Sequence, residues 1–255
     1  MTRPIDGIEL EYDESGVMTL RIDRPHRGNS FHDDIMLGLA DLLRELGRDE
    51  KIKVLIITAT GKVFSAGADL ECSGFSMPTT TASELFSRRC HEIPLELRRF
   101  PVPTIAAVNG PAVGGGFGFA LATDFRFMAP NAFFSAPFVE MGIAPDFGVS
   151  YFLPRLVGET KALELATTCR RVGAEESVAL GLAQSVDPDP YIAASRFAEM
   201  LVDKPRSALS VAKNLIHAGA DTDAATQLLV NESRAQGVSL HGPDFKERFA
   251  ARTRK

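Results

Sequence analysis

The sequence predicts an α/β protein whose N-terminal core alternates strands with helices and whose C-terminal part is helical. Three observations carry that expectation. Ile8-Glu9-Leu10-Glu11-Tyr12 and Val17-Met18-Thr19-Leu20-Arg21-Ile22 alternate with period two on either side of the turn signal Asp13-Glu14-Ser15-Gly16, the pattern of a hairpin. Val54-Leu55-Ile56-Ile57-Thr58 is an unbroken β-rich run, as in a strand buried on both faces. From about Tyr151 onward, one helical pattern follows another.

The elements follow in order. After the hairpin, Asp23 to Ser30 is a polar loop. Ile35, Leu39, Leu42, Leu43 and Leu46 fall on one face of a helix expected over 32–47. The strand at 54–58 ends in the turn Ala59-Thr60-Gly61-Lys62, and Val63-Phe64-Ser65 extends the chain again. SGFSMPTTTAS, residues 73–83, reads as a mobile loop or lid, and a single helix is expected over 84–99. Thr104 to Val108 is a short strand closed by Asn109-Gly110-Pro111. Gly114-Gly115-Gly116 opens a helix that runs to Ala122, and strands bracket Phe125 to Phe127 and Ala132 to Phe134. Helices are then expected near 151–156, 159–167, 174–180, 191–203, 205–218, 221–239 and 243–252. No repeat or linker separates the two parts, so they should pack as one unit.

Composition narrows the class. The chain has 255 residues, 45% hydrophobic and 24% charged, and a net charge of −5. That balance argues against a chain-wide nucleic-acid footprint but leaves room for a local basic patch facing an anionic ligand. Cys72, Cys90 and Cys169 are widely spaced, with neither a CxxC pair nor a nearby His pair, so neither a disulfide framework nor a metal site is expected. The N-terminus has no apolar signal region, and a cytosolic compartment is expected. Pro101 to Thr123 is a 23-residue run without a charge, long enough to span a bilayer. It contains Pro101, Pro103, Asn109, Pro111 and five glycines, which would leave backbone groups unsatisfied in lipid. It reads as two buried elements joined by a turn rather than as a membrane span.

Two segments share a pattern of strand, small residues, then helix start: Phe64-Ser65-Ala66-Gly67-Ala68-Asp69-Leu70 and Val113-Gly114-Gly115-Gly116-Phe117. Small residues there leave unpaired N–H groups approachable. Two such groups aimed at one point form an oxyanion hole, and tight packing is the alternative reading. The dinucleotide fingerprint is not matched, because Phe119 stands where its third glycine belongs, and Gly61-Lys62-Val63 does not complete a phosphate-binding P-loop.

FSAGADL, PVPTIAAVNGPAVGGGFGFALATDFR, APFVEMGIAPDFGVSYFLPRLVG and RVGAEESVALGLAQSV together resemble the crotonase (enoyl-CoA hydratase/isomerase) superfamily, in its order and spacing and over nearly the whole chain. The resemblance implies a ββα spiral acyl-CoA-binding core over 1–195 and a helical oligomerisation region over 196–255, assembled as a homotrimer or a dimer of trimers. It implies an acyl-CoA thioester substrate and no separate cofactor, since coenzyme A is part of the substrate. It puts the thioester oxygen between the amides of Ala68 and Gly115. The loop Arg24-Pro25-His26-Arg27-Gly28-Asn29 is similar to the family's nucleotide-contacting loop, so Arg24, Arg27 and Ala66 are the expected CoA contacts. The tail through Arg252, Arg254 and Lys255 resembles the family's final helix, which can reach CoA of a neighbouring subunit; ordinary charge at a chain end is the alternative reading of these residues.

The acid–base residues depart from the family's hydratases. Gly118 and Phe138 stand where those enzymes carry their two glutamates. Glu140, two residues past Phe138, is a candidate substitute or simply a surface residue. Asp146, in the turn GIAPDFGVS, matches the position of the single carboxylate in several enoyl-CoA isomerases. Its alternative role is to cap the following helix. The 4-chlorobenzoyl-CoA dehalogenases also resemble this chain. There the aspartate is a nucleophile assisted by a histidine, which here would be His91, while Cys90 and Phe138 replace that family's tryptophans. His91 otherwise reads as a partly exposed helix residue. Phe138, Phe75 and Phe86 are candidates for an acyl pocket. The favoured expectation is an enoyl-CoA isomerase with Asp146 as proton shuttle. A hydratase with a non-standard acid, a dehalogenase or hydrolase using Asp146 and His91, and a non-catalytic CoA-binding subunit are the alternatives.

Overall fold

The computed structural model describes residues 5–220, 233–238 and 240–253. Its hairpin is as expected: β1 (Ile8–Tyr12) pairs antiparallel with β2 (Val17–Ile22), Ile8 opposite Ile22. The Asp13 carboxylate accepts the N–H groups of Ser15 at 2.9 Å and Val17 at 3.1 Å, which pins the turn. Helix α1 (Asp33–Arg48) buries Ile35, Leu39, Leu42 and Leu43 on one face, as their spacing requires. Strand β3 (Val54–Ala59) is buried at every position and lies parallel between β2 and β4 (Thr104–Val108). The chain continues through β5 (Ala112–Val113), α4 (Gly115–Leu121), β6 (Phe125–Met128) and β7 (Phe133–Ser135).

Between β3 and β4 the chain departs from expectation. Residues 73–83 are not one loop: they form a 3₁₀ turn over Ser73–Ser76 and the first turn of α2 (Thr80–Cys90). Asp33 holds the segment, accepting from the Ser73 N–H at 3.0 Å and the Cys72 thiol at 2.9 Å, and the Thr79 hydroxyl caps α2 through the Ala82 N–H. The single helix expected next is two, α2 and α3 (Glu92–Arg98), meeting at His91. Pro94 lacks the N–H that a continuous helix would need at that point.

The C-terminal half contains α5 (Val149–Val157), α6 (Glu159–Thr168), β8 (Val172–Gly173), α7 (Ala174–Ala179), β9 (Ser185–Val186), α8 (Pro190–Val202) and α9 (Arg206–Ala220). Residues 233–238 are helical (α10), and α11 covers Pro243–Thr253. The expected helix over 221–239 falls mostly outside the described residues. The strands β5, β8 and β9 are two residues each, too short for a periodic signal.

Six strands form one sheet in the order β1-β2-β3-β4-β6-β9, and β5-β7-β8 form a second, smaller one. Beside the smaller sheet, Ser65, which lies outside the strands, bridges in parallel to Ala112 of β5. One core lies beneath α1, α3, α4 and α5. A second core covers the other face of the large sheet, where Ala194, Ala198 and Val202 of α8 pack on Val54, Ile56, Ile105, Ala107 and Phe127. Position 195, the expected boundary between core and oligomerisation region, therefore lies inside a helix that seals the sheet. No helix among the described residues is long and apolar enough to cross a membrane. The uncharged run from Pro101 to Thr123 forms β4, β5 and α4, all packed inside.

Candidate active site

The two glycine-bearing turns meet in the wall of a cleft of about 800 Å³. Gly67 has φ +87, and a Cβ there would lie 2.7 Å from the Val113 carbonyl and 3.0 Å from the Gly115 nitrogen. Gly114 has φ +55, a conformation that L side chains rarely adopt. Glycine at both positions lets the two turns touch. Ala68 and Gly115 line the cleft, and neither N–H donates to a protein acceptor among the described residues. Gly115 is the first residue of α4, where an amide has no intrahelical partner. The Ala68 turn is clamped on both sides by the Phe31 N–H donating to Gly67 O at 2.8 Å and the Asp69 N–H donating to Phe31 O at 2.9 Å.

Gly118 sits one turn further along α4. A Cβ added there would collide with the main-chain carbonyl of Phe147. The turn Asp146-Phe147-Gly148 thus fills the space above Gly118, with Phe147 at φ +53 and Gly148 at φ +81. Asp146 faces the cleft and is 19% exposed. Its carboxylate does not cap α5: Gly148 occupies the N-cap position, without a side-chain bond, and Asp146 supplies only its main-chain carbonyl to the Val149 N–H. The carboxylate instead accepts from the Gln236 amide Nε2 at 3.0 Å. His91 Nε2 lies 3.9 Å from the same oxygen. His91 is buried, not partly exposed, because it sits at the junction of α2 and α3, with Nδ1 on the Ser233 hydroxyl at 3.0 Å and its ring edge-on to Phe147.

Phe138 is buried and lines the cleft beside Gly114, whereas Glu140 is exposed and does not line it. Phe75, Phe86, Cys90 and Leu240 wall a side chamber of about 40 Å³ that opens past Ala68, Asp146 and Phe147. Phe75 also stacks on Phe245 of α11, 5.8 Å between centroids.

The arginines divide. Arg24 is largely buried, donating to Ser30 O at 2.6 Å and to Asp69 at 3.3 Å. Arg27 is more exposed, lines the cleft with His26 and Ala66, and bridges Asp69 at 3.1 Å and Glu71 at 2.8 Å. Burial works against ionisation of Asp69, but the Glu71 N–H, the Arg27 guanidinium and the Ser30 hydroxyl outweigh it and hold its carboxyl down at about 2. Ala66 donates its N–H to Gly28 O at 2.9 Å, joining the arginine loop to the Ala68 turn. At the far end of the chain, Thr253 of α11 lines this same cleft. The Arg252 side chain and residues Arg254 and Lys255 lie outside the described residues.

No local motif in the sequence points to Gln236 or Ser233. Helix α10 reaches the cleft because Gly237 lets it approach α2, where a Cβ would stand 3.0 Å from the Thr80 carbonyl and the Glu84 nitrogen. His241 on the Ser83 hydroxyl at 2.9 Å fixes the same contact.

A cleft lined by two backbone amides without protein acceptors among the described residues, beside a carboxylate, is an arrangement able to stabilise charge on a carbonyl oxygen. The family model for enoyl-CoA hydratase/isomerase matches residues 12–251, and the chain belongs to that family, within the crotonase superfamily of acyl-CoA enzymes. It is 34% identical to a Mycobacterium leprae protein named a probable enoyl-CoA hydratase, over 98% of this chain and 88% of that one. It is 34% identical to the 1,2-epoxyphenylacetyl-CoA isomerase of Escherichia coli, over 95% and 94%. It is also 34% identical to a 4-chlorobenzoyl coenzyme A dehalogenase of Arthrobacter sp, over 95% and 89%. A crystal structure of an enoyl-CoA hydratase/isomerase from Mycobacterium paratuberculosis superposes with a TM-score of 0.90 at 29% identity, covering 97% of this chain and 98% of that one.

Proposed function

We propose that this protein is an enoyl-CoA isomerase that moves a C=C bond with Asp146 as its single proton shuttle. The observation that carries the reading is the filled space at Gly118: the turn that brings Asp146 into the cleft occupies the place of one hydratase glutamate, and Phe138 replaces the other. Of the carboxylates that line the cleft, Asp69 and Glu71 are engaged by arginine, while Asp146 has an amide and a histidine beside it.

The chemistry needs little else. In a 3-enoyl-CoA thioester, Asp146 takes a proton from C2. The electron pair moves into a dienolate whose oxygen accepts hydrogen bonds from the Ala68 and Gly115 amides. Asp146 then returns the proton at C4, leaving the double bond between C2 and C3. One carboxylate held close to both carbons performs both transfers, and no water is consumed. Arg27, which lines the cleft with Ala66, supports a contact with the CoA phosphates. The proposed assembly is a homotrimer or a dimer of trimers. The exposed Val211, Leu215 and Ile216 on α9 support a partner contact there.

The test is double-bond migration across a panel of 3-enoyl-CoA thioesters in D₂O, with deuterium followed at C2 and C4, for wild type and Asp146→Asn. The reading expects migration by the wild type and a loss of about 10²–10⁴-fold in the variant. Full activity in Asp146→Asn, or no turnover by the wild type, overturns it. The proximity of His91 to Asp146 favours one second reading, attack by the carboxylate on the substrate. An ester trapped on Asp146 would select it.

A further inference from the structure

Gln236 presents an asymmetry at Asp146. Its Nε2 donates to Oδ2 at 3.0 Å, yet its Oε1 is buried and has no hydrogen-bond partner among the described residues. Gln236 is itself buried, at 4% exposure, and lines both the main cleft and the side chamber. A buried acceptor without a donor is normally avoided, because its desolvation goes uncompensated. An amide has a donor on one side and an acceptor on the other, and a half turn exchanges them. Turning this amide over would sacrifice no bond of Oε1 to the described residues, since it makes none there.

We propose that Gln236 is a positioning residue that holds Asp146 in both of its protonation states, donating Nε2–H to the carboxylate and, after a half turn of the amide, accepting the O–H of the acid on Oε1. The inference rests on the reading of Asp146 as a proton shuttle. A shuttle must be a base at C2 and an acid at C4. A partner able only to donate would favour the carboxylate and hinder return of the proton. The backbone around Gln236 is anchored on three sides. Ser233 binds His91, Gly237 abuts α2, and Leu240 packs with Met141 and Phe245. Only the terminal amide needs to move.

The experiment compares wild type, Asp146→Asn, Gln236→Met and Gln236→Lys on the 3-enoyl-CoA that the wild type isomerises fastest. Met keeps the length and removes both hydrogen-bonding functions; Lys keeps a donor and removes the acceptor. Both Gln236 variants should lose about 10- to 100-fold in kcat, with KM changed by less than about threefold, as expected when an interaction acts mainly on the reacting state. A Gln236→Met enzyme with wild-type kcat overturns the proposal. So does a Gln236→Lys enzyme with wild-type kcat, since one donor would then suffice. If Asp146→Asn is inactive while Gln236→Met is not slowed, this inference alone fails. If Asp146→Asn retains full activity, the shuttle reading fails with it. A measurement on the unsubstituted protein guards against variants that misfold. The side-chain ¹⁵N–¹H signals of Gln236 should move as the pH is lowered and should stay still over the same pH range in Asp146→Asn. Signals that do not move in the wild type overturn the proposal.

Discussion

The main-chain carbonyl of Phe147 stands where a Cβ on Gly118 would have to be. Helix α4 and the Asp146 turn are therefore mutually exclusive with any side chain at 118. Gly118→Ala should push the turn away from α4, destabilising the protein by about 1–3 kcal/mol, the usual scale of overpacking. Isomerisation should fall with it, because Asp146 moves. Gly118→Glu should not create hydratase activity. Thermal melts and a coupled assay for 3-hydroxyacyl-CoA read both outcomes; a stable Gly118→Glu enzyme that adds water would contradict the geometry.

The Gly115 amide can be deleted without deleting the helix. Proline is tolerated at the first position of a helix, and a Cβ at Gly115 meets only ordinary contacts, 3.6 Å from the Phe147 ring. Gly115→Pro should lower kcat by about 10²–10³-fold, the usual loss for one oxyanion donor. Gly115→Ala keeps the N–H and should stay within about tenfold of wild type. Steady-state rates on one thioester decide the matter.

Arg24 and Arg27 should separate in their effects. Arg24 donates to Asp69 at 3.3 Å, but Arg27 and the Ser30 hydroxyl still partner that carboxylate in its absence, so Arg24→Ala should cost about 1–3 kcal/mol of stability. Arg27 lines the cleft and also pairs with Asp69 at 3.1 Å, so Arg27→Ala should raise KM for acyl-CoA severalfold and lower the melting temperature as well. The KM effect should shrink as salt is added, because screening weakens a phosphate contact. Chemical denaturation and KM at two ionic strengths test the pair.

Acid should unfold the protein through two carboxylates. Burial opposes ionisation of Asp124, but hydrogen bonds from His217 and Lys213, with the Lys213 charge, hold it at about 2. Asp69 is held at about 2 as well. A carboxyl lowered in the folded state binds its proton more readily when unfolded. Each therefore contributes stability above the unfolded value, about 3.9, that is lost as pH falls from about 4 towards 2. The contribution of Asp124 is on the order of 2 kcal/mol. Asp124→Asn should be less stable at neutral pH and should show a shallower decline over that window. Denaturation midpoints between about pH 2 and 7 measure the slope.

Much of the fold is legible in the sequence because period and composition act locally. The β1–β2 hairpin, α1, β3 and the α4 start follow from alternation, helical spacing and small residues. The break at His91 has a sequence signal in Pro94, which lies well inside the helix expected over 84–99 and cannot supply the N–H a continuous helix needs. The burial of His91 is not legible, because it comes from Phe147 and Ser233, residues far away in the chain.

The sequence alone determined the two amide-bearing turns, the absence of side-chain acids at Gly118 and Phe138, and the candidacy of Asp146, since each depends on which residue stands at a position. Tertiary structure alone decided what those residues face. Asp146 and Gln236 are 90 residues apart, and no local pattern links them. Their contact exists because Gly237 lets α10 approach α2, and because the Phe147 turn needs the space that Gly118 leaves open. Steric exclusion acts between distant segments, so it can be read only once those segments are brought together.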